Sequence, residues 1–398
     1  MKILLLCNKS PWPPKEGGPI AMNAMAEGLM AAGHTVRIIA INSNKYSVDP
    51  ASIPEDYRAK TKIQLVDIDL RIRPLPALKC MVSNRSYHVA RFITEGFAKI
   101  LEQSLKEETF DIIQFETLFT TPYISLIRSL SQARLVLRAH NIEHLIWERM
   151  ASGCRNPLKK FYLRHLARTL REYELSTLQS VDGIAAITGH DAGWFRMQAP
   201  GLPIIDIPFG IDPGKKDEAV NTLPQKLTLF HLGSMNWLPN LEGIRWFIEN
   251  VWPGVHARHP ELEFRLAGRA MPSGITQLKI PGIVIDGEVE DAGAYMRDNW
   301  IMIVPLFSGS GIRIKIIEGM LEGKTILTTP VGAEGIQYTD GKDILICRNA
   351  EEYAAAINRC LGNHQLVDTI GRNARELVVR SHNNNELMKR LTEFYSTL

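Results

Sequence analysis

Residues Phe307–Gly335 read FSGSGIRIKIIEGMLEGKTILTTPVGAEG, and here a glycine-rich turn, two cations and one carboxylate meet at a strand–loop–helix junction. The apolar run Trp300–Leu306 ahead of it predicts a buried strand. Ser308–Gly311, with glycine at positions 309 and 311 around Ser310, lets backbone N–H groups come close to a ligand. Ile312–Leu321 carries helical periodicity, so the helix N-terminus faces the same spot. Arg313 and Lys315 then fall in the first turn, where cations oppose the helix dipole. A bound diphosphate would convert that liability into charge-assisted contacts. The competing reading is a basic surface turn. Glu318, three residues beyond Lys315, shares its helix face and is either an ion-pair partner or a ligand contact. Gly323 fits a C-cap, Lys324–Pro330 a strand and Val331–Gly335 a turn.

Two common phosphate motifs fail on this stretch. Gly323-Lys324-Thr325 resembles the end of a P-loop, but Glu318 stands where its upstream glycine belongs, and the order helix-then-strand is reversed. The dinucleotide pattern fails because Ile314 occupies the third glycine position. Ile316–Gly335 instead resembles the nucleotide-sugar site of GT-B glycosyltransferases, specifically the retaining family 4 type, in a subgroup with GSG-R-K--E. The resemblance implies two Rossmann-like domains around a central cleft and metal-independent transfer of a sugar, with retention, from a nucleoside-diphosphate sugar to an acceptor hydroxyl. It implies that Glu318 contacts the donor ribose. The family's other glutamate falls on Ser310. In His231–Gly243, HLGSMNWLPNLEG, Ser234 stands where the family has a phosphate-binding arginine, so Arg313 and Lys315 are the expected substitutes. No cofactor beyond the donor is implied.

The wider chain fits a large α/β protein. At 398 residues and 45% hydrophobic content it is long enough for two cores. Net charge +3 is too small to argue for nucleic acid. Five cysteines, Cys7, Cys80, Cys154, Cys347 and Cys360, are scattered without a C-x-x-C and suggest a reducing cytoplasm rather than a disulfide framework or zinc site. The apolar run near Met1 is too short for a signal peptide and reads as the first strand of a parallel sheet, Lys2–Cys7. Pro11–Pro19 is expected as a loop, Ile20–Ala32 as a helix, and Thr35–Ile41 as the next strand. Further strands are expected at Asp111–Phe115, Ala133–Arg138, Gly183–Ile187 and Pro203–Ile207, and the alternation restarts at Leu227. The expected division is an acceptor-side domain 1–212, a donor domain 213–380 and a terminal helix 381–398 returning to the first domain, with a hinge around Gly210–Asp217. Ligands on doubly wound sheets collect beyond the carboxyl ends of the strands.

Four other features bear on chemistry. Gly17-Gly18 follows the first strand and would admit a ligand against backbone; the resemblance places such a pair beside donor phosphates and acceptor. His140, Glu143 and His144 match the inverted zinc-peptidase pattern H-x-x-E-H, but His140 sits at a strand end and helix begins only near Ile142. His140 is thus a zinc ligand, a structural histidine or, as the resemblance implies, a histidine at the donor sugar's reactive face. Glu116-Thr117 occupies a comparable strand end, suited to acceptor contact. Asp67 and Asp69 form a D-x-D without a glycine-rich loop, too short a pattern to argue for a metal. Cys154–Glu174 interleaves Lys159, Lys160, Arg164, Arg168 and Arg171 with apolar residues, the signature of a half-buried helix or of one lying on an anionic membrane. A membrane-bound acceptor would suit the second. A glycan or lipid-linked acceptor is the expected partner, with a non-catalytic nucleotide-binding scaffold and a zinc hydrolase as the alternatives.

Overall fold

The computed structural model describes residues 1–212, 228–309 and 311–398, so Ser310 and residues 213–217 of the expected hinge lie outside the described residues. The chain divides into two compact units, Met1–Gly210 with Asn384–Leu398, and Ile211–Asn383. Each is an α/β unit built on one parallel sheet.

In the first unit the strands are β1 (Lys2–Cys7), β2 (Thr35–Ser43), β3 (Gln64–Ile68), β4 (Ile112–Phe115), β5 (Arg134–Ala139), β6 (Gly183–Ala186) and β7 (Ile204–Asp206). They lie in the order β3-β2-β1-β4-β5-β6-β7, every neighbour parallel. A parallel sheet buried on both faces needs continuous apolar strands. β1 meets this with Ile3–Cys7 fully buried, and its side chains alternate between two cores. Leu4 and Leu6 join Phe97, Phe115 and Leu137 on one face. Ile3, Leu5 and Cys7 join Met22 and Met25 on the other. The terminal helix Asn384–Ser396 closes that second face with Leu387, Met388, Leu391 and Tyr395.

In the second unit β8 (Thr228–Leu232), β9 (Glu263–Ala267), β10 (Ile283–Gly287), β11 (Ile301–Val304), β12 (Thr325–Thr328) and β13 (Leu345–Ile346) run in the order β10-β9-β8-β11-β12-β13, again parallel. In both sheets the chain leaves its first strand in one direction and returns to its other side. The switch points therefore lie between β1 and β4 and between β8 and β11, where the crevice beyond the strand ends is open to a ligand.

The expected strands are present with ends displaced by no more than two residues, but two helix starts differ. Helix Gly17–Ala31 begins at the glycine pair, so Gly17 and Gly18 are its first turn and not loop. Pro19 is compatible with that position because the first helical amides have no intrahelical acceptor. The later helix is Ile314–Leu321, and Arg313 precedes it as the N-cap residue in extended backbone, φ −92° and ψ 90°. Only Lys315 of the expected cation pair is within the first turn.

The loop after β11 is set by close packing. A Cβ on Gly243, in helix Leu238–Asn250, would lie 1.7 Å from the Pro305 carbonyl oxygen, so the helix touches this loop backbone to backbone. Gly243→Ala should force the two apart and, at the scale of an overpacked core, lower stability by about 1–3 kcal/mol. A chemical-denaturation midpoint equal to that of the unaltered protein would contradict this contact.

Candidate active site

The residues expected on the donor side lie beyond β8 and β11. Gly309 and Gly311 carry φ of 106° and 78°, values that favour glycine, and they turn the chain from Pro305 towards Arg313. Lys315 enters on the next helix. Its Nζ donates to Asn240 Oδ1 at 2.6 Å and lies 3.5 Å from His231 Nε2. His231 is fully buried on β8 and its Nδ1 is 2.8 Å from the Ile303 carbonyl, so Nδ1–H donates there and Nε2 faces Lys315 as an acceptor. Gly233 leaves room for the cluster, since a Cβ there would be 3.0 Å from Lys315 Nζ and 3.1 Å from His231 Nε2. Among the described residues no carboxylate bonds to the ammonium. Burial, reinforced by the Arg313 charge, pushes Lys315 down to about 7, and burial with the Lys315 charge keeps His231 neutral.

Arg313 is a second, buried cation at the same junction. Its Nη1 donates to the Gly311 carbonyl at 2.6 Å and its guanidinium lies 5.4 Å from the Trp237 ring centroid. Gly309 packs on both, as a Cβ there would fall 3.0 Å from the Trp237 ring and 3.1 Å from Arg313 Nη2. The Lys315–Glu318 ion pair that helical spacing suggests is not formed; Lys315 turns inward to Asn240 and His231. Thr329 Oγ1 donates to the Leu306 carbonyl, fixing the loop from the β12 side. His231, Trp237 and Asn240 are the residues that sequence reasoning did not single out. Their segment was compared with a family pattern only for its absent arginine.

In the first unit His140 follows β5, and its Nε2 lies 3.0 Å from Glu116 Oε2. The same oxygen accepts from Arg138 Nη1 at 3.1 Å, and Glu116 Oε1 accepts from Gln114 Nε2 at 2.6 Å. Tyr395, from the terminal helix, donates to Gln114. Glu116 is fully buried. Burial opposes its ionisation, but the Arg138 charge and the bonds from His140 and Gln114 outweigh it and hold the carboxyl below its usual range. Burial lowers His140 despite the favourable Glu116 bond, so the neutral ring with its proton on Nε2 is the form held. Glu116 is therefore not open to an acceptor, as its strand-end position suggested, but anchors His140. Beside the glycine pair, a Cβ on Gly18 would lie 2.7 Å from Lys9 Cε, so a lysine side chain packs against Gly18.

His144 does not join His140. Its Nδ1 is 2.5 Å from Glu174 Oε2, on helix Pro157–Thr177, and Glu174 also accepts from the Glu143 amide. Glu143 is buried beside Glu174, and burial with that charge pushes it up to about 8. The residues of the zinc pattern thus serve two separate carboxylates, and among the described residues no three His, Cys, Asp or Glu side chains form a metal-ligand group. Asp67 accepts from Asn42, while Asp69 is held by Arg71 and Arg73.

A cation with a pKa of about 7 makes anion affinity depend on pH. Lys315 is charged below pH 7, loses its proton above it, and regains one when an anion binds. Nucleoside diphosphate affinity should therefore fall about tenfold from pH 7.0 to 8.5, a range in which the phosphate, with its second pKa near 6, is already ionised. Lys315→Met should bind weakly at both values. A flat calorimetric profile for the unaltered protein would remove Lys315 from the anion site.

Comparison with known proteins bears on the fold and on the domain in the second unit. Residues 226–363 match the family described as Glycosyl transferases group 1. The chain is 21% identical over 406 residues to an uncharacterised 44.6 kDa protein in the cps region of Klebsiella pneumoniae, covering 97% of each. Sucrose-phosphate synthase from Thermosynechococcus elongatus is similar in structure, with TM-score 0.71, 16% identity and coverage of 100% of this chain and 99% of that one. HepE of Anabaena, solved in complex with UDP-glucose, has TM-score 0.67 and 16% identity over 100% of both chains. The chain is therefore a glycosyltransferase of GT-B fold whose second unit carries a group 1 domain.

Proposed function

We propose that the protein moves a sugar from a nucleoside-diphosphate sugar to an acceptor hydroxyl with retention at the anomeric carbon and without a metal. The observation that carries this is the pair at the β8/β11 switch point, Arg313 buried and Lys315 half-buried against Asn240, with no carboxylate among the described residues bonded to the ammonium. In the proposed reaction the acceptor oxygen bonds to the anomeric carbon as the bond to the diphosphate breaks. The acceptor proton passes to the departing phosphate oxygen. Arg313, Lys315 and the loop amides around Gly309 and Gly311 stabilise the charge that develops there, an electrostatic task often assigned to a metal. Glu318 is assigned to the donor ribose. His140, oriented by Glu116, is assigned to the transfer step rather than to donor hold. The likeness to a cps-region protein supports a polysaccharide or glycolipid acceptor.

No helix among the described residues is long and apolar enough to cross a membrane. Peripheral contact with an anionic membrane from the cytoplasmic side is proposed instead. Leu163, Leu166 and Leu170 of the basic helix are buried in the unit, so the full apolar stripe is not available to lipid. Leu158 and Phe161 at its start, next to Lys159 and Lys160, remain 82% and 72% exposed, and Leu75 and Val82 on helix Pro74–Val82 are 80% and 81% exposed. Flotation with vesicles containing phosphatidylglycerol should recover the protein, and Leu75→Glu with Phe161→Glu should abolish recovery. Equal recovery with neutral vesicles would defeat the electrostatic part of this proposal.

Screening UDP-, GDP- and ADP-sugars by thermal shift identifies the donor. With it, Arg313→Ala should weaken binding about ten- to hundredfold, the loss of a charged hydrogen bond of about 1.5–3 kcal/mol. Glu318→Gln should weaken nucleotide binding with little change in stability, His140→Ala should reduce turnover more than affinity, and activity should persist in EDTA. Loss of activity on chelation would overturn the metal-independent reading, and binding without any transfer or slow donor hydrolysis would favour a scaffold.

A further inference from the structure

The first unit holds a cavity that neither the donor cations nor His140 use. It measures about 600 Å³, within the range typical of small-ligand pockets, and lies among the helices that follow β5 and β6 and helix Pro157–Thr177. Arg164, Arg168 and Arg171 line one wall, His144 and Trp194 line another, and Glu148 is the single carboxylate in the lining. The arginines are spaced four and three residues apart, so they form one stripe on the helix. Arg168 is held by Asn84 at 2.6 Å and lies 3.8 Å from Glu172. Arg164, Arg171 and Glu148 make no ion pair among the described residues.

We infer that this pocket binds the acidic group of a saccharide acceptor. The inference rests on the glycosyltransferase reading for its substrate class and goes beyond it in naming a charged acceptor and the residues that take it. Three like charges on one helix stripe repel one another, and an anion between them relieves that repulsion. Guanidinium groups present paired N–H donors matched to carboxylate or phosphate oxygens. Trp194 adds an aromatic face with a polar edge, suited to the partly apolar face of a sugar ring. His144, whose Nδ1 is committed to Glu174, is a fixed wall and not a variable one. The pocket also belongs to the acceptor side of the chemistry. His144 is four residues beyond His140 on the segment leaving β5.

The test uses the full chain and three probes: a hyaluronan tetrasaccharide bearing carboxylates, glucose 1-phosphate, and uncharged maltotetraose. Calorimetry should show at least tenfold tighter binding of one acidic probe than of maltotetraose, weakening as salt is raised. Which acidic probe binds decides between carboxylate and phosphate. The double variant Arg164→Gln/Arg171→Gln, both exposed positions, should lose that binding tenfold or more while affinity for the nucleoside diphosphate of the donor found by the screen stays unchanged. Glu148→Gln should tighten it two- to fivefold by removing the one opposing charge. Acidic probes that bind no better than maltotetraose, or that bind the double variant as tightly as the unaltered protein, overturn the inference. Failure of the unaltered protein to bind any nucleoside diphosphate would instead defeat the donor reading, so the two failures are distinguishable.

Discussion

The strand-end cluster of the second unit depends on an ammonium group that has no carboxylate partner among the described residues. Lys315 is drawn to the Asn240 amide oxygen and the neutral His231 ring, and the low polarity that depresses its pKa to about 7 is also what would make an anion's arrival favourable. An ordinary surface lysine gains little from one more ion pair because water already satisfies it. Lys315 is partly withdrawn from that water and, among the described residues, is bonded to neutral groups. The packing around it serves this state: His231 is locked by the Ile303 carbonyl, Gly233 leaves the space, and Gly243 lets helix Leu238–Asn250 carry Asn240 against the β11 loop.

The first unit uses the opposite device at its own switch region. Glu116 is a buried carboxylate, and it is fully compensated by Arg138, His140 and Gln114, with Tyr395 behind them. A compensated buried charge attracts no ligand; it orients what is bonded to it. His140 is thereby fixed as a neutral ring with one nitrogen committed. The two clusters thus differ physically, one an ammonium bonded to neutral groups and the other a carboxylate bonded to cations and donors.

The architecture was legible because parallel strands covered on both faces must be apolar throughout, and runs such as Ile3–Leu6 and Ile301–Val304 have few other uses. Helix starts were less legible. Gly17-Gly18-Pro19 has loop composition, yet proline is tolerated in a first helical turn, and Gly18 is filled by Lys9 from the preceding loop. Arg313 and Lys315 were visible as cations near a glycine turn, but their difference was not. Arg313 stands in extended backbone before the helix, while Lys315 finds partners 75 and 84 residues away. Helical spacing favoured Glu318 for Lys315 because local periodicity carries no information on what tertiary packing places opposite. The same blindness applied to Glu116, whose strand-end position looked open although Arg138 and His140 close on it.

Helix Pro157–Thr177 shows why amphipathic patterning is ambiguous between lipid and protein. Its stripe of Leu163, Leu166 and Leu170 satisfies either environment, and in the fold it is spent on the protein core. What is left outside is not a neutral remainder but a row of arginines against a concave surface that contains one acid. A lipid-facing helix would pair its cations with exposed apolar residues along its whole length. Here that pairing survives only at Leu158 and Phe161, one turn before the arginine row begins. The helix therefore separates two chemistries along its length, an apolar tip suited to a surface and a cationic wall suited to a discrete anionic ligand.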